Sequence, residues 1–125
     1  MKNMAKILID TNVVLRYLLR DHPKQSMQAK KAVEIGAVIL PEVLVETVHA
    51  LKNIYRVDRQ TIAASLMTLL NEVEIERKQV MVHAVELYAD SQDMDFMDCI
   101  IIAYFDIENI RVFTFDPKLN RVPKS

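Results

Sequence analysis

Short apolar segments alternate with amphipathic segments along the chain, and this alternation constrains the fold more than any other feature. Strand-like apolar segments fall at residues 4–9 and 37–40, with a minor one at 73–76 and another at 111–115. Between them, helical spacing of apolar residues predicts six helices, at 11–19, 23–36, 41–55, 58–71, 78–91 and 95–106. We therefore expect an α/β fold, a three-layer sandwich around a central, mostly parallel sheet of four to five strands.

Composition narrows the class of protein. With 125 residues, 51% of them hydrophobic, the chain is expected to form a single domain, residues 1–125. Its one cysteine, Cys99, excludes an internal disulfide, and no stretch has the length of a signal peptide core or a membrane span, so a soluble cytoplasmic protein is expected. One glycine in the whole chain argues against glycine-rich phosphate-binding loops. A net charge of −1 gives no general attraction to nucleic acid.

Carboxylates stand at positions where a parallel sheet gathers its ligands. Asp10 follows the first predicted strand and Asp116 follows the last one. Ligands bind beyond the carboxyl ends of strands in such sheets, so both residues are expected at one edge. Glu46 lies among apolar residues of the third predicted helix and is expected to be half-buried. Asp98 lies at the start of the sixth, three residues after Asp95.

Several carboxylates at one edge would repel each other strongly unless a cation lay among them. Oxygen ligands without cysteine or suitably spaced histidine favour Mg²⁺ or Mn²⁺. Such ions activate water and neutralise charge on a phosphodiester. The pattern therefore predicts metal-assisted hydrolysis of a phosphate ester.

Each acid also has an ordinary structural interpretation. Asp10, with Thr11 and Asn12, could simply form the start of a helix, and Glu46 could be a solvated helix residue. Asp95 could cap the sixth helix, which is the favoured interpretation for that residue, and Asp116 before Pro117 could open a turn. These interpretations do not explain why the acids fall where one sheet edge can collect them.

Four segments together resemble the PIN domain, and more narrowly the VapC-type ribonuclease toxins of bacterial and archaeal toxin–antitoxin pairs. The segments are IDTNVVLRYL, LPEVLVETVHAL, DFMDCIIIA and VFTFDPKLNRV, and they span residues 7–122 in the order and spacing of that family. The resemblance implies an endoribonuclease that uses Mg²⁺ or Mn²⁺. It also implies a homodimer that is held inactive by an antitoxin peptide lying across the active site.

The resemblance carries roles to individual residues. The family's acidic positions correspond to Asp10, Glu46, Asp98 and Asp116, which we predict as the catalytic and metal-binding residues. Asp10, Glu46 and Asp98 would hold the metal, partly through water, and Asp116 would orient a metal-bound water or support a second ion. Supporting hydrogen bonds to these acids or to water are expected from Thr11, Asn12 and Thr114, with Asp95 as an accessory acid. Among a group of basic residues near the first two helices, Arg16 is the best candidate for a contact to RNA phosphates.

Other functions fit the sequence less well. A phosphatase of the haloacid dehalogenase type needs a second aspartate two positions after the first, where this chain has Asn12. A response-regulator receiver needs an early acidic pair and a lysine at the end of a late strand, and neither is present. The main alternative is a non-catalytic PIN-like module that binds RNA or a protein partner.

Overall fold

A computed structural model of the chain describes residues 6–120 and contains six α-helices and two short strands within that range. In chain order the elements are β1 Ile7–Leu8, α1 Thr11–Leu19, α2 Pro23–Gly36, β2 Ala37–Val38, α3 Pro41–Asn53, α4 Arg59–Glu72, α5 Lys78–Asp90, α6 Phe96–Glu108 and a short 3-10 helix, Pro117–Leu119. Residues 4 and 5 of the first predicted strand, and residues 121 and 122 of the last resembling segment, lie outside the described range. No helix within residues 6–120 combines the length and apolarity needed to cross a membrane.

The sheet is parallel, as predicted. Ile7 pairs with Ala37, and Leu8 pairs with Val38. Beyond the two strands, the Ile9 amide donates to the Val38 carbonyl at 3.0 Å, and the Ile39 amide donates to the Glu74 carbonyl at 2.9 Å. A bridge between Val38 and Glu74 thus places a third parallel segment on the other side of β2.

The predicted strand at 111–115 is not a strand in the structure. Residues 110–114 have no regular secondary structure, and the side chains of Phe113 and Phe115 are exposed. Their alternation of exposed and half-buried side chains is that of an extended segment, but this segment forms no strand ladder with β1 or β2. Within the described range the sheet has two strands and one bridge, so four to five strands in three layers are not confirmed.

Side-chain caps mark the start of three helices, α1, α2 and α4. Asp10 Oδ1 accepts from the Val13 amide at 3.1 Å, which begins α1, and Asp58 Oδ1 accepts from the Thr61 amide at 2.8 Å, which begins α4. Gly36 ends α2 with φ +134°, a backbone conformation that side-chain-bearing residues rarely adopt.

One core joins β1, β2 and all six helices. Its fully buried members come mainly from α4 and α5 and include Ile62, Leu66, Leu69, Val80 and Ala84, with Leu44 from α3. The closest helix packing is of α5 on α6, of α1 on α2 and of α4 on α5. Helix α3, which carries Glu46, touches both α1 and α6. Asp10 lies just before α1 and Asp98 lies on α6, so α3 connects the parts of the chain that carry these two acids.

Arg59 ties α4 to the connection between α5 and α6. Its guanidinium lies 3.9 Å from the ring centroid of Tyr88, and Nη1 donates to the carbonyls of Tyr88 and Met94 at 3.1 and 2.8 Å. Tyr88 in turn packs edge-to-face on Phe96, the first residue of α6, with ring centroids 5.6 Å apart. This arrangement fixes the position from which α6 and Asp98 extend.

Arg59→Lys is expected to lower the free energy of unfolding by about 1–2 kcal/mol, because lysine keeps the charge but loses the planar group that stacks and donates to two carbonyls. Arg77→Lys is the matched control. Arg77 also lies over a tyrosine ring, Tyr104, but at 5.9 Å and with a side chain 53% exposed, so its loss is expected below about 0.5 kcal/mol. Urea unfolding followed by circular dichroism measures both, and equal losses would contradict the structural role of Arg59.

Candidate active site

Asp10 caps a helix and also keeps its carboxylate exposed at the end of the sheet. It follows β1 directly, and its backbone is extended, with φ −97° and ψ −179°. One carboxylate oxygen caps α1, yet the side chain as a whole is exposed at the end of the sheet. The cap therefore fixes the direction of the carboxylate without removing it from solvent.

Glu46 meets the start of α1 through Thr11. The Thr11 hydroxyl donates to Glu46 Oε1 at 2.5 Å, a bond that joins residues 35 apart in the chain. Glu46 is exposed, so the prediction that it is half-buried is wrong. Its apolar neighbours in sequence point to other faces of α3, where Leu44 and Thr47 are fully buried. The predicted supporting role of Thr11 agrees with this contact.

Asp98 belongs to a second acidic group. Burial raises the pKa of Asp98 above its ordinary value, and the negative charges of Asp95 and Asp116 raise it further, while Lys118 opposes the effect. The carboxylates of α6 and of the segment after it are therefore close enough to interact electrostatically. Asp95 occupies the N-cap position of α6, as the capping interpretation predicted, but its side chain makes no capping hydrogen bond.

Asp116 is held by local hydrogen bonds. Its amide donates to the Thr114 hydroxyl at 3.0 Å, and its Oδ1 accepts from the Lys118 amide at 3.0 Å, which caps the 3-10 helix. The interpretation of Asp116 as a residue that opens a turn is therefore confirmed. As with Asp10, the cap uses one carboxylate oxygen and orients the other.

The two acidic groups are connected by the packing of α3 on α6. A cleft of about 360 Å³ is lined by residues of both helices, among them Glu46 of α3 and Met97 of α6, the residue before Asp98. The rest of its lining is mostly apolar: Pro41, Val45, Met81, Ile100 and Tyr104, with Glu42. The structure thus brings Glu46 to the same cleft as the first turn of α6.

The donor set suits a hard divalent cation, because it consists of carboxylates and hydroxyls. The raised pKa of Asp98 also reflects negative charge that a cation would offset. Within residues 6–120, however, no three aspartate, glutamate, histidine or cysteine side chains converge closely enough to hold one ion. Metal binding shared by Asp10, Glu46, Asp98 and Asp116 therefore stays a prediction.

A second cleft, of about 470 Å³, is lined by Asp10 itself. The rest of its polar lining comes from Asn12, Arg16, Gln25 and Gln28. The Arg16 guanidinium binds within the protein, with Nη2 donating to the Tyr55 hydroxyl at 2.8 Å and Nη1 lying 3.3 Å from an oxygen of Asp21. The roles of Asn12 beside the metal and of Arg16 toward RNA stay predictions.

The remaining chemistry-bearing side chains have structural roles. Cys99 is fully buried, and burial raises the pKa of its thiol to about 11, so it is not an activated nucleophile. His22 caps α2, His49 contacts Asn53, and His83 lies between Glu86 and Asp106.

Sequence reasoning missed Lys118 as a neighbour of Asp98. The lysine lies in the 3-10 helix that Asp116 caps, and that helix packs on α6. The signal was the DPK sequence: a proline fixes a tight turn after Asp116 and returns the lysine toward the acids.

The raised pKa of Asp98 predicts the sign of one pH effect. The folded protein binds this proton more tightly than the unfolded chain, so the contribution of Asp98 to stability is greatest at low pH and falls as the pH rises from 3.8, the ordinary value, through the raised one. Asp98→Asn removes this fall. In EDTA the variant is expected to be more stable than the parent at pH 7, with a difference that shrinks toward pH 3. Asp90→Asn is the control, and urea unfolding at several pH values from 3 to 7 measures the stability of both variants. If Asp98→Asn were less stable than the parent at every pH, the raised pKa of Asp98 would be contradicted.

Comparison with known proteins agrees with this arrangement. The sequence model of the PIN domain matches residues 7–125, nearly the whole chain. No curated protein and no solved structure matches the chain significantly. A match of this extent, on a chain with a parallel sheet and acids after β1, in α3 and at the start of α6, establishes that the protein belongs to the PIN domain family.

Proposed function

We propose that this protein is a metal-dependent endoribonuclease that hydrolyses RNA phosphodiester bonds with Mg²⁺ or Mn²⁺. PIN domains are commonly nucleases and generally use divalent metals, so a nuclease-like fold and hydrolase chemistry follow from the family. The observation that carries the finer proposal is the contact between Thr11 and Glu46, because it draws together acids 36 positions apart, Asp10 and Glu46, at the end of β1.

The chain's own residues divide the work as follows. Asp10, Glu46 and Asp98 are the groups that would hold the cation, with Thr11 orienting Glu46 and the α1 cap orienting Asp10. When bound, the cation supplies an activated water and offsets charge on the phosphodiester. Asp116, whose backbone amide is held by Thr114, would orient a water at this site or support a second ion, and its electrostatic effect on Asp98 supports this role.

We further propose that the protein is the toxin of a toxin–antitoxin pair, a cytoplasmic homodimer inhibited by a cognate antitoxin. The support is the resemblance of four segments, from ILID at residues 7–10 to the segment that contains Asp116, to VapC-type toxins. In that arrangement the antitoxin covers the acids, and its removal exposes them to RNA.

A second candidate is a PIN-like module that binds RNA or a partner without cleaving it. The observation that favours it is that no three of the acids converge on one ion within the described range. Metal separates the two functions, because a binding module holds RNA equally well in EDTA and in Mn²⁺ and cleaves it in neither.

The dual role of Asp10 allows a sharp test of catalysis. Asparagine caps a helix about as well as aspartate but carries no charge, so Asp10→Asn is expected to lower Mn²⁺-dependent RNA cleavage at least about 100-fold with stability unchanged. Asp10→Ala removes the cap as well and is expected to lose about 1 kcal/mol of stability. Cleavage of a labelled RNA on a denaturing gel is the measurement.

The control for that test is Asp90→Asn, which changes an exposed acid at the end of α5 and is expected to cleave as the parent does. If Asp10→Asn cleaves as fast as Asp90→Asn, Asp10 serves only as a cap and the assignment fails.

The toxin assignment predicts a growth phenotype. Expression of the chain without its antitoxin is expected to arrest growth within a few generations, and Asp10→Ala is expected to relieve the arrest at equal protein level, measured by colony counts and immunoblot. An alanine variant as toxic as the parent would rule out Asp10 as the residue responsible.

A further inference from the structure

Two phenylalanine side chains on the segment before Asp116 are almost fully exposed. Phe113 is 88% exposed and Phe115 is 90% exposed, more than any other large apolar side chain among the described residues. Their rings contact each other, with centroids 5.3 Å apart and planes inclined by 68°. Exposure of two adjacent aromatic rings leaves their faces open to a ligand.

The rings are placed by the backbone beside the acids. Asn109 ends α6 in the left-handed conformation, with φ 60°, and the chain then returns along the protein with Val112 and Thr114 half-buried. The Thr114 hydroxyl accepts from the Asp116 amide, so the turn after Phe115 is fixed. Both rings therefore lie within three residues of Asp116, a group close enough to Asp98 to raise its pKa.

Charge makes these rings important for an RNA ligand. The protein carries a net charge of −1, and the acids of the site repel phosphate. Two exposed basic residues, Arg111 and Lys118, flank the ring segment and can contact few phosphates. Near the rings, contacts that do not depend on charge can therefore add to the affinity for RNA, and stacking of bases on aromatic rings is such a contact.

We propose that Phe113 and Phe115 form a base-stacking site that holds an unpaired nucleotide of RNA next to the candidate acids. This proposal rests on the proposed function, because it assigns RNA as the ligand of the same site. Bases within a duplex have their faces covered by their neighbours, so the site selects single-stranded or looped-out nucleotides. Arg111 precedes the two rings in the chain and Lys118 follows them, so positive charge flanks the ring segment. This charge favours RNA, whose phosphates are negative, over an apolar protein surface.

Binding in EDTA tests the site without cleavage. Fluorescence anisotropy of a labelled 12-nucleotide oligouridine is measured with the parent, with Phe113→Leu, with Phe115→Leu and with each Phe→Trp variant. Leucine keeps the apolar surface but has no ring, so each leucine variant is expected to bind about tenfold more weakly, whereas tryptophan restores binding. Because both side chains are exposed, the variants are expected to fold as the parent does, which circular dichroism checks.

Two controls make the result specific. Ile110→Ala shortens another exposed apolar side chain of the same segment, 50% exposed, and is expected to bind as the parent does. A 12-base-pair RNA duplex is expected to bind at least about tenfold more weakly than oligouridine. The salt dependence separates stacking from charge: the leucine variants keep the slope of log affinity against log salt, whereas Arg111→Gln reduces its magnitude by about 0.7.

Several outcomes would overturn the stacking site: no binding of oligouridine by the parent, equal binding by the leucine variants, or duplex bound as tightly as single strand. A change of oligomeric state in the leucine variants with RNA binding intact, seen by light scattering, would overturn it in favour of self-association.

Failure of the nuclease proposal gives a different pattern, namely ring-dependent binding in EDTA without cleavage in Mn²⁺. Cleavage in Mn²⁺ with ring-independent binding rejects the stacking site alone.

Discussion

The site depends on the parallel pairing of β1 with β2. In a parallel pair both strands leave the sheet at the same edge, so the helices that follow them, α1 and α3, begin side by side. Asp10 ends the first strand, and Glu46 lies in the second turn of the helix that follows the second strand. This is why the Thr11 hydroxyl reaches Glu46 across 35 positions of sequence. An antiparallel pairing of the same strands would place α1 and α3 at opposite edges and separate the two acids.

In the second acidic group, around Asp98, the electrostatic cost of gathering negative charge is linked to the proposed function. Asp98 is half-buried in the first turn of a strongly apolar helix, beside Asp95 and Asp116, and all three effects disfavour its charged form. The helix N-terminus, where backbone amides point outward, and Lys118 offset part of this cost. A site that gathers negative charge against its own stability is the arrangement expected where a cation or a proton is to be bound. Arg59 and the Tyr88–Phe96 contact hold α6 in place while it carries this charge.

The helices were predictable from sequence, and the strands and the exposure of side chains were less so. Helix limits follow largely from local periodicity and caps. All six predicted helices begin within one residue of their observed start: four begin at the predicted residue, and α4 and α6 begin one residue later, at Arg59 and Phe96. A strand needs a partner that the sequence does not name, so the alternating segment at 111–115 was predicted as a strand although it remains exposed. Glu46 was expected to be half-buried because its sequence neighbours are apolar, but on a helix adjacent residues face different directions. The cap of α1 is Asp10, because the chain enters the helix directly from β1.

The caps at Asp10 and Asp116 explain how structural and catalytic interpretations of one acid can both hold. In each case one oxygen accepts a backbone amide, at 3.1 Å for Asp10 and at 3.0 Å for Asp116, so the carboxylate has few rotamers left. A ligand that is already held loses less conformational freedom when it binds a cation, which strengthens binding without a new contact. Helix caps at the end of a parallel sheet are therefore suited to present oriented carboxylates, and the frequency with which acids cap helices is no argument against their catalytic use.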